Sequence, residues 1–355
     1  MRTYKEILSQ KNPIILITGD SLAFNRYGYD PLWRGAGDAF DYGVGMQSWS
    51  FALRDRIYFM DSQFVFGDAL SFDCDTVSGI DSESPVPNIA LFDGKIKTIY
   101  PKDKVTFNVN IKSEEIVLYL QHRTDNPSVF DICVDGKLIK KDIDTKGDPS
   151  YFAGYSMLQL RLPCNADMEN HEISFQNIRG ENPKITVAGV GAVYKNIVLN
   201  GRGSQCIRFF IENFEERIAR HKPDLILLSI IANDRGKNAP TIVASELKEL
   251  LSMIFGSLPE CKLLLLLPPF AHRPSDIESE EKPYTSIRTA ELYDRVAEKV
   301  CADFKGQQKC DVDIMRISDL FDKDDVSSWR FDNIHLNKQG NKMLLDAIMN
   351  RLMLK

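Results

Sequence analysis

The sequence predicts an α/β fold of three layers, a parallel sheet covered by helices on both faces, with a β-sandwich domain inserted into it. Three observations carry this. After Gly203 short apolar strands alternate with amphipathic helices, and from about residue 64 to 195 that helical period gives way to period-two alternation. The opening apolar run Ile14-Ile15-Leu16-Ile17 has no parallel partner in its own neighbourhood, so it must join the later sheet. The expected domains are therefore a discontinuous α/β domain, 1–63 and 196–355, and an inserted domain, 64–195.

Taken in order, the strand at 14–18 runs into a Gly- and aromatic-rich loop. A helix is expected from Met46 to Tyr58, where Trp49, Leu53 and Ile57 recur every fourth residue. In the middle block Val105, Phe107, Val109 and Ile111 alternate with polar residues, as do Leu158, Leu160 and Leu162. Further β-like runs lie at 115–121, 171–178 and 184–193. Asp93-Gly94 and Asp135-Gly136 are two-residue hairpin signals, because both central positions of a type I′ turn need positive φ. After Gly203 the reading is helix Cys206–His221, strand Leu225–Ile231, helix Thr241–Ser257 and strand Lys262–Leu267. It continues with a helix over about Ser286–Phe304, strand Val312–Ile317 and a last helix over Lys338–Leu352.

Composition removes several function classes. A net charge of -6 without a clustered excess of Lys and Arg argues against a nucleic-acid groove. The longest apolar run, Leu263 to Pro269, is far too short to span a bilayer. The charged start Met1-Arg2-Thr3-Tyr4-Lys5-Glu6 lacks the pattern of a signal peptide, so a soluble, cytoplasmic protein is expected. Seven scattered cysteines with no Cys-x-x-Cys pair read as free thiols. No cofactor motif is found; the glycines from Gly35 to Gly45 lack the Lys-Ser/Thr ending of a phosphate loop. The aromatics Tyr27, Tyr29, Trp33, Phe40 and Tyr42 of that loop either line a sugar subsite or pack beneath it. Oligomeric state is not legible.

In an open parallel sheet, ligands bind beyond the carboxyl ends of the strands. Asp20-Ser21 follows the first strand, Asn233-Asp234 follows the strand beginning at Leu225, and Asp332 to His335 precedes the final helix. The turn Gly201-Arg202-Gly203 lies just before a helix, where backbone N–H groups can meet an anion. Singly, each has an ordinary reading: Ser21 as a turn or N-cap residue, Asn233-Asp234 as an Asx turn, His335 as a surface residue ahead of a helix capped by Asn337. A metal reading of Asp332/His335 fails, since His122, His171, His221 and His272 sit in different elements and none stands at ligand spacing.

Together, Gly19-Asp20-Ser21-Leu22, Asn200-Gly201-Arg202-Gly203-Ser204, Ala232-Asn233-Asp234 and Asp332-x-x-His335 resemble, in order, the four motif blocks of the GDSL, or SGNH, hydrolase superfamily. The resemblance covers 12–60 and 196–355 and implies that family's flavodoxin-like α/β/α fold. It implies Ser21 as nucleophile, His335 as general base and Asp332 as the carboxylate that orients the imidazole. The amides of Ser21 and Gly203 and the side chain of Asn233 would form the oxyanion hole, with Gly201 as the fallback for Gly203. Ile231 departs from the pattern, standing where the family usually has glycine. Members hydrolyse lipid esters, thioesters and acetyl groups on glycans. The inserted β-sandwich and the lack of an apolar lid tip the expectation towards a serine acetylesterase acting on an O-acetylated saccharide, the sandwich being a candidate carbohydrate-binding domain. The alternatives are a saccharide O-acetyltransferase with the same triad, a lipase- or thioesterase-type hydrolase, and a non-enzymatic glycan-binding protein.

Overall fold

The computed structural model describes residues 2–20, 22, 49–74, 77–78, 96–123, 126–146, 157–203, 205–269, 287–308, 311–322, 325, 328–329 and 335–354. The chain opens with α1 (Tyr4–Leu8), β1 (Ile14–Gly19) and α2 (Trp49–Tyr58). Strands follow: β2 (Val65–Phe66), β3 (Phe72–Asp73), β4 (Val77–Ser78), β5 (Lys97–Ile99), β6 (Val105–Asn110), β7 (Glu115–Gln121), β8 (Val129–Val134), β9 (Lys137–Asp144), β10 (Met157–Pro163), β11 (Asn170–Arg179) and β12 (Ile185–Gly191). The remainder alternates as β13 (Asn196–Leu199), α3 (Ile207–Glu212), α4 (Phe214–Arg217), β14 (Leu225–Ser229), α5 (Pro240–Ser257), β15 (Lys262–Leu267), α6 (Ile287–Gln308), β16 (Asp311–Arg316) and α7 (Lys338–Leu354). Among the described residues, those up to Arg54 and from Lys195 onward form one compact unit, and Asp55–Tyr194 form a second.

In the first unit β13, β1, β14, β15 and β16 lie side by side in that order, all parallel. Numbered along this unit's own chain the order is 2-1-3-4-5, the doubly wound, flavodoxin-like arrangement. Leu16, Ile226, Leu228, Leu263 and Leu265 share one core with apolar residues of α3, α5 and α6. Their neighbours Ile15, Ile17, Leu225, Leu227 and Leu264 are equally buried and point the other way, because strand side chains alternate. That second face is covered as well: α7 packs on α1, and the Trp49 amide at the start of α2 donates to Asn341 Oδ1 on α7 at 3.0 Å. Each Leu or Ile so withdrawn from water contributes about 1.5–3 kcal/mol, which is why continuous apolar strands demand helices on both sides.

Three local features differ from the sequence reading. The helix α1 was not expected, although Thr3 and Glu6 form a reciprocal capping box around its first turn. Strand β13, also unforeseen, is the parallel partner of β1 on the side away from β14, pairing Ile14 with Asn196 through Ile17 with Leu199. The continuous helix expected over Cys206–His221 is instead α3, α4 and a single 3₁₀ turn, Ala219–His221. Of the expected helix Met46–Tyr58, residues 46–48 lie outside the described ones.

The second unit is a β-sandwich. One antiparallel sheet runs β10-β7-β12-β5-β4 with β2 also on β12, and the other runs β3-β6-β11-β8-β9. Their inward residues, including Val105, Phe107, Phe130 and Phe175 from one sheet and Leu118, Leu160 and Val187 from the other, form a single core. The Asp135-Gly136 turn joins β8 to β9 with φ of 50° and 75°, the double positive φ that the dipeptide predicts. Asp93-Gly94 lies outside the described residues. Asp61 ties the start of this unit to its end, its carboxylate accepting the amides of Ala192 and Val193, the latter at 2.8 Å. No helix among the described residues is long and apolar enough to cross a membrane.

Candidate active site

The parallel sheet reverses its winding at β1, which places the carboxyl ends of β13, β1 and β14 at the switch point. Direct hydrogen bonds lock them together. The Asp20 amide donates to Ser229 O at 2.9 Å on one side of β1, and the Arg202 amide donates to Gly19 O at 2.8 Å on the other. Gly19 has φ of 145°, and a Cβ there would stand 2.0 Å from Ser229 O, so only glycine allows β1 and β14 this approach. Thr18 Oγ1 donates to Asn200 O at 2.5 Å, fixing the second motif block beside the first.

Beyond Gly19 the Asp20 side chain is fully buried, and its Oδ1 accepts the Leu22 amide at 2.9 Å. The Leu22 carbonyl in turn accepts the Trp49 indole N–H at 2.9 Å. Both neighbours of Ser21 are thus held, while Ser21 itself lies outside the described residues. Burial pushes the Asp20 carboxyl up to about 7; the Leu22 and Ala232 amides and Arg235 oppose the shift, and Asp234 adds to it. Its Oδ2 has no hydrogen-bond partner.

The second block does more than present glycines. Asn200 Nδ2 donates to Glu216 O at 3.2 Å and Arg217 O at 3.4 Å, and its Oδ1 accepts Arg217 Nη1 at 2.6 Å. These bonds take up carbonyls at the end of α4, where the amphipathic period alone predicts continued helix. Gly201 is buried and Gly203 half-buried, and Gly203 O accepts Gln205 Nε2 at 3.3 Å. The first amide of α3 is taken by a carboxylate. Ile207 N–H points at both carboxylate oxygens of Asp234, each at 3.3 Å.

In the third block Ile231 has φ of 83°. This is left-handed backbone in a β-branched residue, a strain of about 1–3 kcal/mol that glycine would not carry. The Ile231 side chain is fully buried in the core over the sheet, which holds the residue in that conformation. The tight turn delivers Asn233 and Asp234 to opposite ends of the Gln205–Ile207 segment. Asn233 Nδ2 donates to Gln205 O at 3.1 Å, leaving its second N–H to point elsewhere. Asp234 caps α3 and also accepts Asn238 Nδ2 at 3.0 Å; burial pushes its carboxyl up. Buried Arg235 donates to Pro269 O at 2.8 Å and Asp294 Oδ1 at 2.6 Å, clamping the end of β15.

In the last block Asp332 lies outside the described residues. His335 is described and buried, two residues before Asn337, whose Oδ1 accepts the Gly340 amide at 2.9 Å as the cap of α7. Trp329 O accepts the Asn337 amide at 3.0 Å, and a Cβ at Gly340 would stand 2.2 Å from that same oxygen. Asn341 Nδ2 donates to Leu336 O at 2.9 Å. A cavity of about 730 Å³ opens along the start of α7, lined by Ser328, Asn337, Gln339, Lys342 and Met343.

The described site residues Gly203 and Asn233 meet through Gln205, and His335 sits on a separate pinned segment of the same unit. Sequence reasoning missed Trp49, Gln205 and Asn341, whose roles depend on partners far along the chain. Among the described residues no group of three His, Cys, Asp or Glu side chains could hold a metal ion.

A family model described as GDSL-like Lipase/Acylhydrolase matches residues 161–348, more than half of the chain, taking in Gly203, Asn233, Asp332 and His335 but not Ser21. Among curated proteins no sequence matches. Among solved structures, a peptidoglycan O-acetylesterase is similar at 12% identity and a TM-score of 0.39, over 98% of this chain and 93% of that one. An acetylxylan esterase from Geobacillus stearothermophilus is similar at 17% identity and a TM-score of 0.36, over 45% of this chain and 73% of that one.

Proposed function

We propose, from the premise that this chain belongs to the GDSL-like lipase/acylhydrolase family and is a carboxylic ester hydrolase, that it removes O-acetyl groups from a saccharide by way of an acyl-enzyme on Ser21. The observation that carries this reading is the pair of bonds at the switch point, Asp20 N–H to Ser229 O and Arg202 N–H to Gly19 O. They join Asp20, Arg202 and Ser229, the neighbours of Ser21, Gly203 and Asn233, and so support drawing those three to one site.

In this mechanism Ser21 Oγ attacks the acetyl carbonyl carbon while its proton passes to His335, whose other ring nitrogen Asp332 holds. The carbonyl oxygen becomes an oxyanion, stabilised by the amides of Ser21 and Gly203 and the free N–H of Asn233. The C–O bond to the sugar then breaks, and the sugar oxygen leaves with the proton from His335. Water repeats the sequence on the acyl-enzyme, releasing acetate and restoring Ser21. Asn233 suits its part because Gln205 O takes one of its two amide protons and thereby aims the other. We assign the β-sandwich a role in holding the glycan, a reading by analogy of architecture.

The test is acetate release from a panel of O-acetylated sugars. Wild type should release acetate, and Ser21→Ala should be slower by about 10⁴–10⁶-fold. Equal release by the two proteins would sink the mechanism. Transfer of acetyl to an added sugar acceptor, in place of free acetate, would make the protein an acetyltransferase with the same triad.

A further inference from the structure

We propose that Trp49 and Asn341 are positioning residues, a buried bridge that ties Leu22, the residue after Ser21, to the segment carrying His335. The inference rests on the reading of Ser21 and His335 given above. The bridge is continuous. Trp49 Nε1–H donates to Leu22 O at 2.9 Å, and the Trp49 backbone amide donates to Asn341 Oδ1 at 3.0 Å. Asn341 Nδ2 then donates to Leu336 O at 2.9 Å and to Asn337 O at 3.0 Å. It therefore begins at the residue after the nucleophile and ends at the residue after the base. Trp49 is fully buried and Asn341 is 3% exposed.

Each partner is chemically suited to its place. The Trp49 amide is fully buried and therefore needs an acceptor. Asn341 supplies that acceptor from α7 and spends both protons of its amide on the two carbonyls that follow His335. The Trp49 ring makes the remaining link, its indole coupling an apolar bulk to a single N–H donor. A serine and histidine drawn from segments so far apart in sequence must be held within tenths of an ångström, since a 1 Å misplacement costs about 10²-fold in rate. Leu22, Trp49, Asn341 and Leu336 are all buried, so losing one link leaves a buried carbonyl unpaired and its segment free to shift.

Trp49→Phe keeps an aromatic ring and loses the five-membered ring with its donor; Asn341→Leu puts an apolar side chain of similar shape in place and removes all three side-chain bonds. The measurements are kcat and KM on p-nitrophenyl acetate, the rate at which a fluorophosphonate labels Ser21, and Tm. Trp49→Phe should lower kcat and the labelling rate together by about tenfold or more, with KM within about twofold of wild type. The Trp49→Phe/Asn341→Leu double variant should be no slower than its slower parent, because both changes cut one bridge. Wild-type kcat in folded Trp49→Phe, with only Tm lowered, would overturn the proposal, as would effects that multiply in the double variant. Should Asn341→Leu fail to fold, the split between kcat and Tm in Trp49→Phe decides alone. If Ser21→Ala keeps full turnover, the reading of the site fails and the bridge falls with it; if Ser21→Ala is dead and Trp49→Phe is not slowed, the bridge alone fails.

Discussion

The two ends of the parallel sheet are built on opposite principles. At the amino ends the charges are paired and partly wet: Arg2 with Asp224 at 3.0 Å, Lys262 with Asp311 at 2.7 Å, and the Tyr4 hydroxyl on Asp313 at 3.0 Å. Lys262 also sits 4.5 Å from the centre of the Tyr4 ring. At the carboxyl ends Asp20, Asp234 and Asp294 are buried, Asp294 accepting from the Arg235 guanidinium, and burial pushes all three carboxyls up. Asp20 Oδ2 and Arg235 Nε lack hydrogen-bond partners there, and Ile231 is held at positive φ. One rim is arranged for stability. The other carries buried ionisable groups and a strained backbone position, the features that make it the candidate site.

The comparison can be broken most sharply at Asn233. Asn233→Ala should lower kcat by about 10²–10³-fold, the usual cost of one oxyanion donor, with a much smaller change in Tm. Steady-state kinetics beside a thermal melt checks this, and a loss of Tm without a loss of kcat would place Asn233 among the merely structural residues.

Next in size is the pH dependence carried by Asp20. Unfolded, this carboxyl releases its proton near pH 4, whereas in the fold it keeps the proton up to about 7. The folded state therefore binds more protons than the unfolded one across that window. The contribution of Asp20 to stability is full below pH 4 and is lost as pH rises to about 7, at no more than about 1.4 kcal/mol per pH unit. Asp20→Asn keeps the acceptor for the Leu22 amide but cannot titrate. Urea melts from pH 4 to 8 should show the variant gaining on wild type as pH rises; parallel curves would mean that Asp20 is ionised throughout.

The smallest effect belongs to the opposite rim. Lys262→Met strips Asp311 of its partner and should cost ~2 kcal/mol in a denaturant melt while leaving kcat of the folded protein unchanged. A fall in kcat there would erase the distinction between the two ends.

Local chemistry wrote much of this architecture into the chain. The bounds of β7 and β15 are those read from the apolar runs, because a strand buried on one or both faces must repeat its pattern residue by residue. The Asp135-Gly136 hairpin is as legible, since positive φ at two successive positions admits few residue types. The motif blocks at Gly203, Asn233 and His335, and their order, were also there to be read. Long-range partners decided the rest. Strand β13 has only four residues and exists because β1 offers its edge; the helix expected over Cys206–His221 breaks where Asn200 takes its carbonyls. Asp234, read as closing a turn, caps a helix from another segment, and Trp49, read as one apolar residue in a period, bridges two motif blocks. A sequence states which groups a residue carries and how its neighbours repeat. Which buried donor meets which acceptor across two hundred residues, and which isoleucine is forced into the conformation of a glycine, is settled only when the whole sheet and its helices close around them.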